Sequence, residues 1–273
     1  MSNFLQRTLT GILFLAVMIG ATVLSYWSML ILFFIIAMLG LWEFYKLSAI
    51  TSIRPQKIAG IAVAVFVFFL AIADVRLNLY LAFMLGFPFF ASIFFAELYR
   101  NSPTPFQNIA ITLLGIIYVV MPFVAWTNYM YPLGVAYNPH ILLGYFFILW
   151  TNDTGAYIVG VPLGKHKLWE RISPNKTWEG FIGGIAFCLA VAWVISHYFT
   201  ELSPLLWMLI AFVTSIFGTL GDLVKSMFKR SLNIKDSGSI LPGHGGILDR
   251  FDGFLLSTPF VLCLLYILGL FHF

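Results

Sequence analysis

One stripe of this chain places a carboxylate, a hydroxyl and several cations at helical spacing within an otherwise apolar sequence. Six polar residues of GTLGDLVKSMFKRSLN recur at i, i+3, i+4, i+7, i+8 and i+11: Asp222, Lys225, Ser226, Lys229, Arg230 and Asn233. On a helix these positions form one face. A carboxylate at the deep end of such a face is costly in apolar surroundings unless a cation pairs with it. Asp222 is therefore predicted to pair with a lysine, an arginine or a metal ion.

A glycine-rich turn and two more aspartates follow the stripe. In LPGHGGILDRFDG the proline and glycines predict a non-helical turn, where Gly245 and Gly246 let backbone N–H groups approach an anion. Asp249 and Asp252 lie three residues apart, so they share a face if a helix begins there. With Asp222 they predict a site of three carboxylates, whose oxygen-only ligands favour Mg²⁺.

Two further polar segments lie in the same half of the chain. Asn152 and Asp153 interrupt the apolar run WTNDTGAYIVG, and an acid in such a run marks either a functional site or a helix–helix hydrogen bond. The loop GKHKLWERISPNKTWEG carries the basic residues Lys165, His166, Lys167, Arg171 and Lys176. This loop either binds phosphate or only contacts anionic lipid. Glu179 is predicted near the start of the helix that follows the loop.

Composition indicates an integral membrane protein. Hydrophobic residues make up 61% of the 273 residues, charged residues make up 10%, and the mean hydropathy is +0.95. Soluble domains carry about 25% charged residues, so a soluble globular protein is excluded. The net charge of +4 is too small to indicate a nucleic-acid partner.

The apolar runs predict an all-α, polytopic fold of about nine transmembrane helices. A helix needs about 20 apolar residues to cross the hydrocarbon core. The runs lie near 8–24, 28–45, 58–73, 77–96, 108–127, 139–160, 180–199, 204–224 and 254–272. They lack the period-two alternation of barrel strands, and helices are the other structure that satisfies its backbone in lipid.

The distribution of charge predicts the orientation and the location of the chemistry. With the N-terminus in the cytoplasm, 14 of the 15 lysines and arginines face inward, and only Arg76 lies outside. Residues 1–149 carry nine charges, whereas residues 150–252 carry seventeen. We therefore expect a single membrane-embedded unit. In it, 1–149 form a scaffold of about five helices and the start of a sixth, and 150–273 form the catalytic region with its cytoplasmic loops.

Cations beside a carboxylate–metal cluster suit a polyphosphate. Lysine and arginine neutralise phosphate oxygens, and Mg²⁺ bridges them and draws off charge in the transition state. The predicted site opens toward the cytoplasm, which holds nucleoside triphosphates, and it borders the hydrocarbon, where a lipid phosphate is held. The residues therefore predict a membrane enzyme that transfers a phosphoryl or nucleotidyl group to or from a lipid, without naming the nucleotide.

The stretch 226–252 resembles the signature of the phosphatidate cytidylyltransferase (CDP-diacylglycerol synthase) family, with no departure over 27 residues. The matching positions are Ser226, Lys229, Arg230, Lys235, Asp236, Gly238, Leu241, Pro242, His244, Gly245, Gly246, Asp249, Arg250 and Asp252. The Gly221-Asp222 step, the SPNKTWEG loop and NDTGAY are similar to other motifs of that family. The first 140 residues match it only as a hydrophobic pattern.

The resemblance implies a reaction and a set of roles. CTP and phosphatidic acid would give CDP-diacylglycerol and pyrophosphate at the cytoplasmic side of a bacterial cell membrane. Mg²⁺, a second cation such as K⁺, and a homodimer with contacts in 1–149 are implied. The implied metal ligands are Asp222, Asp249 and Asp252, and Lys229 and Arg230 complete the implied catalytic set. The implied substrate-binding residues are Asn152, Asp153, Lys176, Ser226, Lys235, His244, Gly245, Gly246 and Arg250.

Two alternatives share part of these features. A CTP-dependent lipid or polyprenol kinase would use the same cytoplasmic site and Mg²⁺, but it would transfer the γ-phosphate of CTP. A transporter could use Asp153 and Asp222 as a cation or proton relay, and transporters favour broken helices in two repeated halves. The charged residues of this chain are concentrated in one half, with seventeen in 150–252, which favours an enzyme.

Overall fold

The structure is a computed structural model that describes residues 3–50, 52–72, 79–131, 136–234 and 245–269. Its helices are α1 Asn3–Leu24, α2 Tyr26–Ser48, α3 Lys57–Ile72, α4 Leu79–Leu98, α5 Pro105–Gly115, α6 Met121–Tyr129, α7 His140–Leu163, α8 Trp178–Tyr198, α9 Pro204–Ser231 and α10 Leu248–Ile267. Between α7 and α8, β1 Lys167–Trp169 and β2 Ser173–Thr177 form an antiparallel hairpin. The predicted helical class is confirmed, and the hairpin lies where the sequence predicted a loop.

Every predicted apolar run overlaps a helix. A π-helical turn, Ile116–Val120, joins α5 to α6, so that Pro105–Tyr129 is one continuous helix. Within the described ranges, five helices are long and apolar enough to cross a membrane: Tyr26–Ser48, Pro105–Tyr129, Trp178–Tyr198, Pro204–Ser231 and Leu248–Ile267. The chain is therefore a multi-pass membrane protein.

The ends of α9 and α10 differ from the bounds of the apolar runs in ways that matter for the site. α9 continues beyond residue 224 to Ser231, which confirms that the polar stripe is helical from Asp222 to Arg230. Asn233, at φ 56°, lies just past the end of this helix. α10 begins at Leu248 rather than near 254, so Asp249 and Asp252 both belong to the helix.

The chain folds as two compact units. The first contains the described residues of 1–18, 27–128 and 236–249. The second contains those of 19–26, 129–235 and 250–273. The boundary that the charge distribution predicts, between 149 and 150, is a functional division and stays a prediction.

A buried polar cluster holds three helix ends together in the first unit. The carboxylate of Glu97 accepts hydrogen bonds from Gln56 Nε2 at 2.6 Å, Asn108 Nδ2 at 2.6 Å and Arg100 Nη1 at 3.0 Å. The Tyr45 hydroxyl donates to the backbone carbonyl of Thr112 at 2.7 Å. Because a charge that is buried in a span must be paired, this cluster satisfies Glu97 within the protein.

Close helix packing defines the second unit. A side chain at Gly184 of α8 would meet Asn152 Oδ1 of α7 at 2.8 Å, and one at Gly144 of α7 would collide with the ring of Trp207 on α9. Small residues at such contacts let helix backbones approach one another in a membrane. α7, α8 and α9 therefore form a tight group, from whose α7–α8 connection the hairpin extends.

Candidate active site

The β1–β2 hairpin is anchored at its base by the first turn of α8. The Thr177 hydroxyl caps this helix by accepting the Gly180 N–H at 3.2 Å. The Glu179 carboxylate accepts the backbone N–H groups of Lys165 at 3.1 Å and His166 at 3.2 Å. It also contacts His166 Nδ1 at 2.6 Å. These bonds fix the path of the chain into the hairpin and hence the position of β2.

Lys176 of β2 reaches back to the polar stripe of α9. Its Nζ lies 2.7 Å from Asp222 Oδ2, and the two side chains are 25% and 31% exposed. The prediction that Asp222 pairs with a cation is thereby confirmed. The partner comes from the hairpin, 46 residues earlier in the chain (222 − 176), and not from the stripe itself.

A second lysine–aspartate pair lies deeper. Lys225 Nζ is 3.2 Å from Asp252 Oδ2 of α10, and these side chains are only 8% and 16% exposed. The carboxyl groups of Asp222 and Asp252 lie within electrostatic range of each other. They meet because Gly221 packs against the backbone of Asp252, where any side chain at position 221 would collide with the Asp252 carbonyl. Two carboxyl groups and two ammonium groups thus form one cluster.

This cluster borders a cavity of about 640 Å³. Its wall is formed by α7, the hairpin, α8 and α9, through Asp153, Ala156, Tyr157, Gly160, Val161, Gly164, Lys167, Leu168, Ser173, Asn175, Lys176, Thr177, Gly180, Phe181, Thr219 and Asp222. The lining includes charged and polar residues together with aliphatic and aromatic ones. Such a lining suits a ligand that combines an anionic group with an apolar chain.

The adjacent residues Asn152 and Asp153 have different surroundings. Asp153 is exposed at the cavity wall, within electrostatic range of Lys176, Lys225 and Arg250. Asn152 is buried, and its Nδ2 donates to Thr219 Oγ1 at 3.1 Å. The structure therefore places Asp153 in the site and Asn152 in the packing between α7 and α9.

The remaining predicted residues of the stripe and the turn are distributed along α9 and α10. Ser226, Lys229 and Arg230 follow Asp222 on α9, outside the wall of this cavity. Arg250 is exposed near the start of α10. Lys235 and His244 lie outside the described residues.

The described part of the glycine turn, which begins at Gly245, is non-helical, as its sequence predicts. Gly245 has φ 87°, which disfavours any residue with a side chain. The Gly246 N–H donates to Asp249 Oδ2 at 3.1 Å, and the Ile247 N–H donates to Glu43 Oε2 at 2.7 Å. Glu43, on α2, gave no signal in the sequence beyond being a carboxylate within an apolar run.

The donor set fits Mg²⁺ in its chemistry. Asp222 and Asp252 supply neighbouring carboxylate oxygens, and within the described part of the chain no sulfur or imidazole ligand accompanies them in the cluster. Among the described residues, no group of three His, Cys, Asp or Glu side chains is gathered in a way that could hold a metal ion. Asp249 as a third ligand stays a prediction.

Comparison with known proteins identifies clear relatives. A sequence model described as the cytidylyltransferase family matches residues 5–268. A phosphatidate cytidylyltransferase of Staphylococcus haemolyticus is 37% identical over 262 residues, which cover 95% of this chain and 98% of that protein. Those of Staphylococcus saprophyticus and Staphylococcus aureus strain COL are 47% identical over 162 residues and 53% identical over 128 residues. The latter two matches cover 59% and 46% of this chain and 60% and 49% of the relatives.

Proposed function

The chain belongs to the cytidylyltransferase family, and on this premise we propose that it converts CTP and phosphatidic acid into CDP-diacylglycerol and pyrophosphate. The observation that carries the proposal is the paired lysine–aspartate cluster at the wall of a cavity that is lined by both polar and apolar residues. The cations suit the phosphates of both substrates. The apolar residues of the lining suit the acyl chains of the lipid.

The reaction is an in-line displacement. A phosphate oxygen of phosphatidic acid forms a bond to the α-phosphorus of CTP, while the bond from that phosphorus to the bridging oxygen of the β-phosphate breaks and pyrophosphate leaves. A phosphate monoester has a second pKa of about 6, so the nucleophile is largely a dianion at neutral pH. No strong general base is required, and His244 is assigned none.

The chain's own cations address the main barrier, which is the repulsion between two anionic reactants. Lys176 is at the cavity wall, and Lys225 lies behind it in the same cluster. Lys229, Arg230, Lys235 and Arg250 are proposed to hold further phosphates. By fixing phosphate oxygens in place, these groups contribute positioning and charge neutralisation.

Mg²⁺ is proposed as the cofactor, held by Asp222 and Asp252, with Asp249 as the predicted third ligand. When bound, it neutralises the phosphate charge that develops during transfer. K⁺ is proposed as a second cation on the family resemblance alone. Asp249→Asn is expected to abolish turnover while the protein still inserts into the membrane, as measured by activity in membranes with matched protein content. Near-normal activity with Mg²⁺ would contradict the assignment of Asp249.

The proposed topology has nine spans, a cytoplasmic N-terminus and a cytoplasmic active site in a bacterial cell membrane. Its support is the inward placement of 14 of 15 lysines and arginines, together with bacterial relatives. A homodimer is proposed on the family resemblance.

Labelled CTP tests the activity directly. Membranes that contain the protein are incubated with phosphatidic acid and with CTP labelled at either the α- or the γ-phosphate, with and without Mg²⁺. We expect α-label in a lipid product and γ-label in pyrophosphate, both dependent on Mg²⁺. Transfer of γ-label to lipid would instead show a kinase, and membranes without the protein are the control.

A further inference from the structure

A carboxylate of the N-terminal half supports the glycine turn of the catalytic half. Glu43 lies within α2, an apolar helix that is long enough to span the membrane, and it is only 2% exposed. Its Oε2 accepts the backbone N–H of Ile247 at 2.7 Å, across 204 positions of the chain. A charge in such a helix is costly and is retained where it has a partner and a role.

The contact between Glu43 and the turn leaves no space for a side chain at position 246. A Cβ added to Gly246 would collide with Glu43 Oε1. One turn earlier on α2, a Cβ at Gly40 would lie 3.5 Å from Ile247 Cγ2 and 3.8 Å from Leu248 Cδ2. The backbone of α2 therefore packs on the residues that follow the turn, and Glu43 determines which residue fits at 246.

Two carboxylates hold two successive N–H groups of this turn. Asp249 Oδ2 accepts the Gly246 N–H at 3.1 Å, while Glu43 accepts the Ile247 N–H. Hydrogen bonds to a carboxylate are stronger than those between neutral groups. They fix the backbone at the point where α10 begins, and α10 carries Asp249, Arg250 and Asp252.

We propose that Glu43 is a positioning residue for cytidylyl transfer, which orients the start of α10 by holding the turn at 245–247. This assignment rests on the proposed function. It gives α2 a part in the reaction beyond that of a membrane scaffold, although Glu43 itself touches no reacting atom in the proposed mechanism.

The test compares two buried glutamates of the same unit. Glu43→Ala is expected to lower kcat at saturating CTP by about tenfold or more, as loss of a charge-assisted hydrogen bond allows. Glu43→Gln, which keeps an oxygen that can accept the Ile247 N–H, is expected to recover most of this loss. Glu97→Ala, which breaks the separate cluster with Gln56 and Asn108, is expected to lower the melting temperature with little change in kcat per folded molecule.

A double-mutant cycle with Gly246→Ala provides a second readout. In the parent protein the added methyl collides with Glu43, whereas in Glu43→Ala the space is open, so the two changes are expected to be non-additive in kcat. Amide exchange at Ile247 is expected to accelerate in Glu43→Ala. Unchanged kcat in folded Glu43→Ala, or additive effects in the cycle, would overturn the assignment. Parent protein that forms no CDP-diacylglycerol would instead refute the proposed function.

Discussion

Replacing each lysine of the cluster by methionine separates its contribution to stability, which depends on burial, from its contribution to turnover. Methionine keeps the length and apolar stem of lysine but removes the ammonium group. Lys225→Met leaves Asp252 in a site where both side chains of the pair are mostly buried, at 8% and 16% exposure. Lys176→Met leaves Asp222 in a site where the pair is 25% and 31% exposed, so water can solvate the carboxylate.

The difference in exposure between the two pairs sets the loss of stability that we expect for each variant. Removing one partner of a buried ion pair destabilises by about 3 kcal/mol, whereas a partly exposed, water-screened pair such as Lys176–Asp222 contributes less, about 1 kcal/mol. For a chain of this size, each kcal/mol shifts the melting temperature by roughly 2–4 °C. We therefore expect a decrease of about 6–12 °C for Lys225→Met and no more than about 4 °C for Lys176→Met.

Thermal unfolding of the detergent-solubilised variants measures which variant loses more stability, and steady-state turnover measures the effect of each variant on catalysis. Lys176→Met, at the cavity wall, is expected to lower kcat/KM for CTP or phosphatidic acid by about tenfold to a hundredfold, the range for one charged hydrogen bond to a phosphate. If Lys176→Met proved the less stable of the two, the argument from burial would be refuted. If its kcat/KM were unchanged for both substrates, Lys176 would bind neither phosphate.

Two further predictions concern glutamates near the two ends of α8, Glu179 in its first turn and Glu201 just past its last. Glu179→Gln is expected to raise KM because it weakens the base of the hairpin. Glu170→Gln, in the exposed hairpin turn, is the control and should leave steady-state kinetics unchanged. If both variants had the same KM, the anchoring role of Glu179 would be contradicted. Burial raises the pKa of Glu201, but hydrogen bonds from Asn138 and His140 outweigh it and lower this pKa below its ordinary value. The stabilisation by this carboxylate is complete above the ordinary carboxyl pKa and is lost as the pH falls through the lowered pKa of Glu201. Glu201→Gln has no such carboxylate to protonate. Its melting temperature should therefore decrease less below pH 4.5 than that of the parent protein.

The helices and the polar stripe were predictable because both depend on local patterns. Apolar runs of sufficient length must be helical in lipid, and the spacing that begins at Asp222 and includes Lys225 is itself a helical pattern. The same spacing predicted that Asp222 needs a cation. It could not identify Lys176, because that choice depends on a hairpin that folds back from the α7–α8 connection onto α9.

The roles of Asn152 and Asp153 show where local pattern stops being informative. Successive residues of a helix point about 100° apart, so one can face a cavity while the next packs against a neighbouring helix. Which of them does so depends on Thr219 of α9, whose hydroxyl accepts from Asn152. The partner of Glu43 was unpredictable for the same reason, since it lies 204 residues away and contributes only a backbone N–H.

The two lysine–aspartate pairs differ in a way that orders substrate binding within the proposed function. An anion that enters the cavity meets Lys176 first, because Lys176 and Asp222 line its wall whereas Lys225 and Asp252 are shielded behind them. The Lys176–Asp222 pair is partly exposed, so a phosphate is expected to take Lys176 at low cost and to release the Asp222 carboxylate for the proposed Mg²⁺. Lys225 stays on Asp252 during this exchange because separating a buried pair costs several kcal/mol. Within the proposed function, the Lys176–Asp222 pair is therefore expected to respond to substrate, while the Lys225–Asp252 pair links α9 to α10.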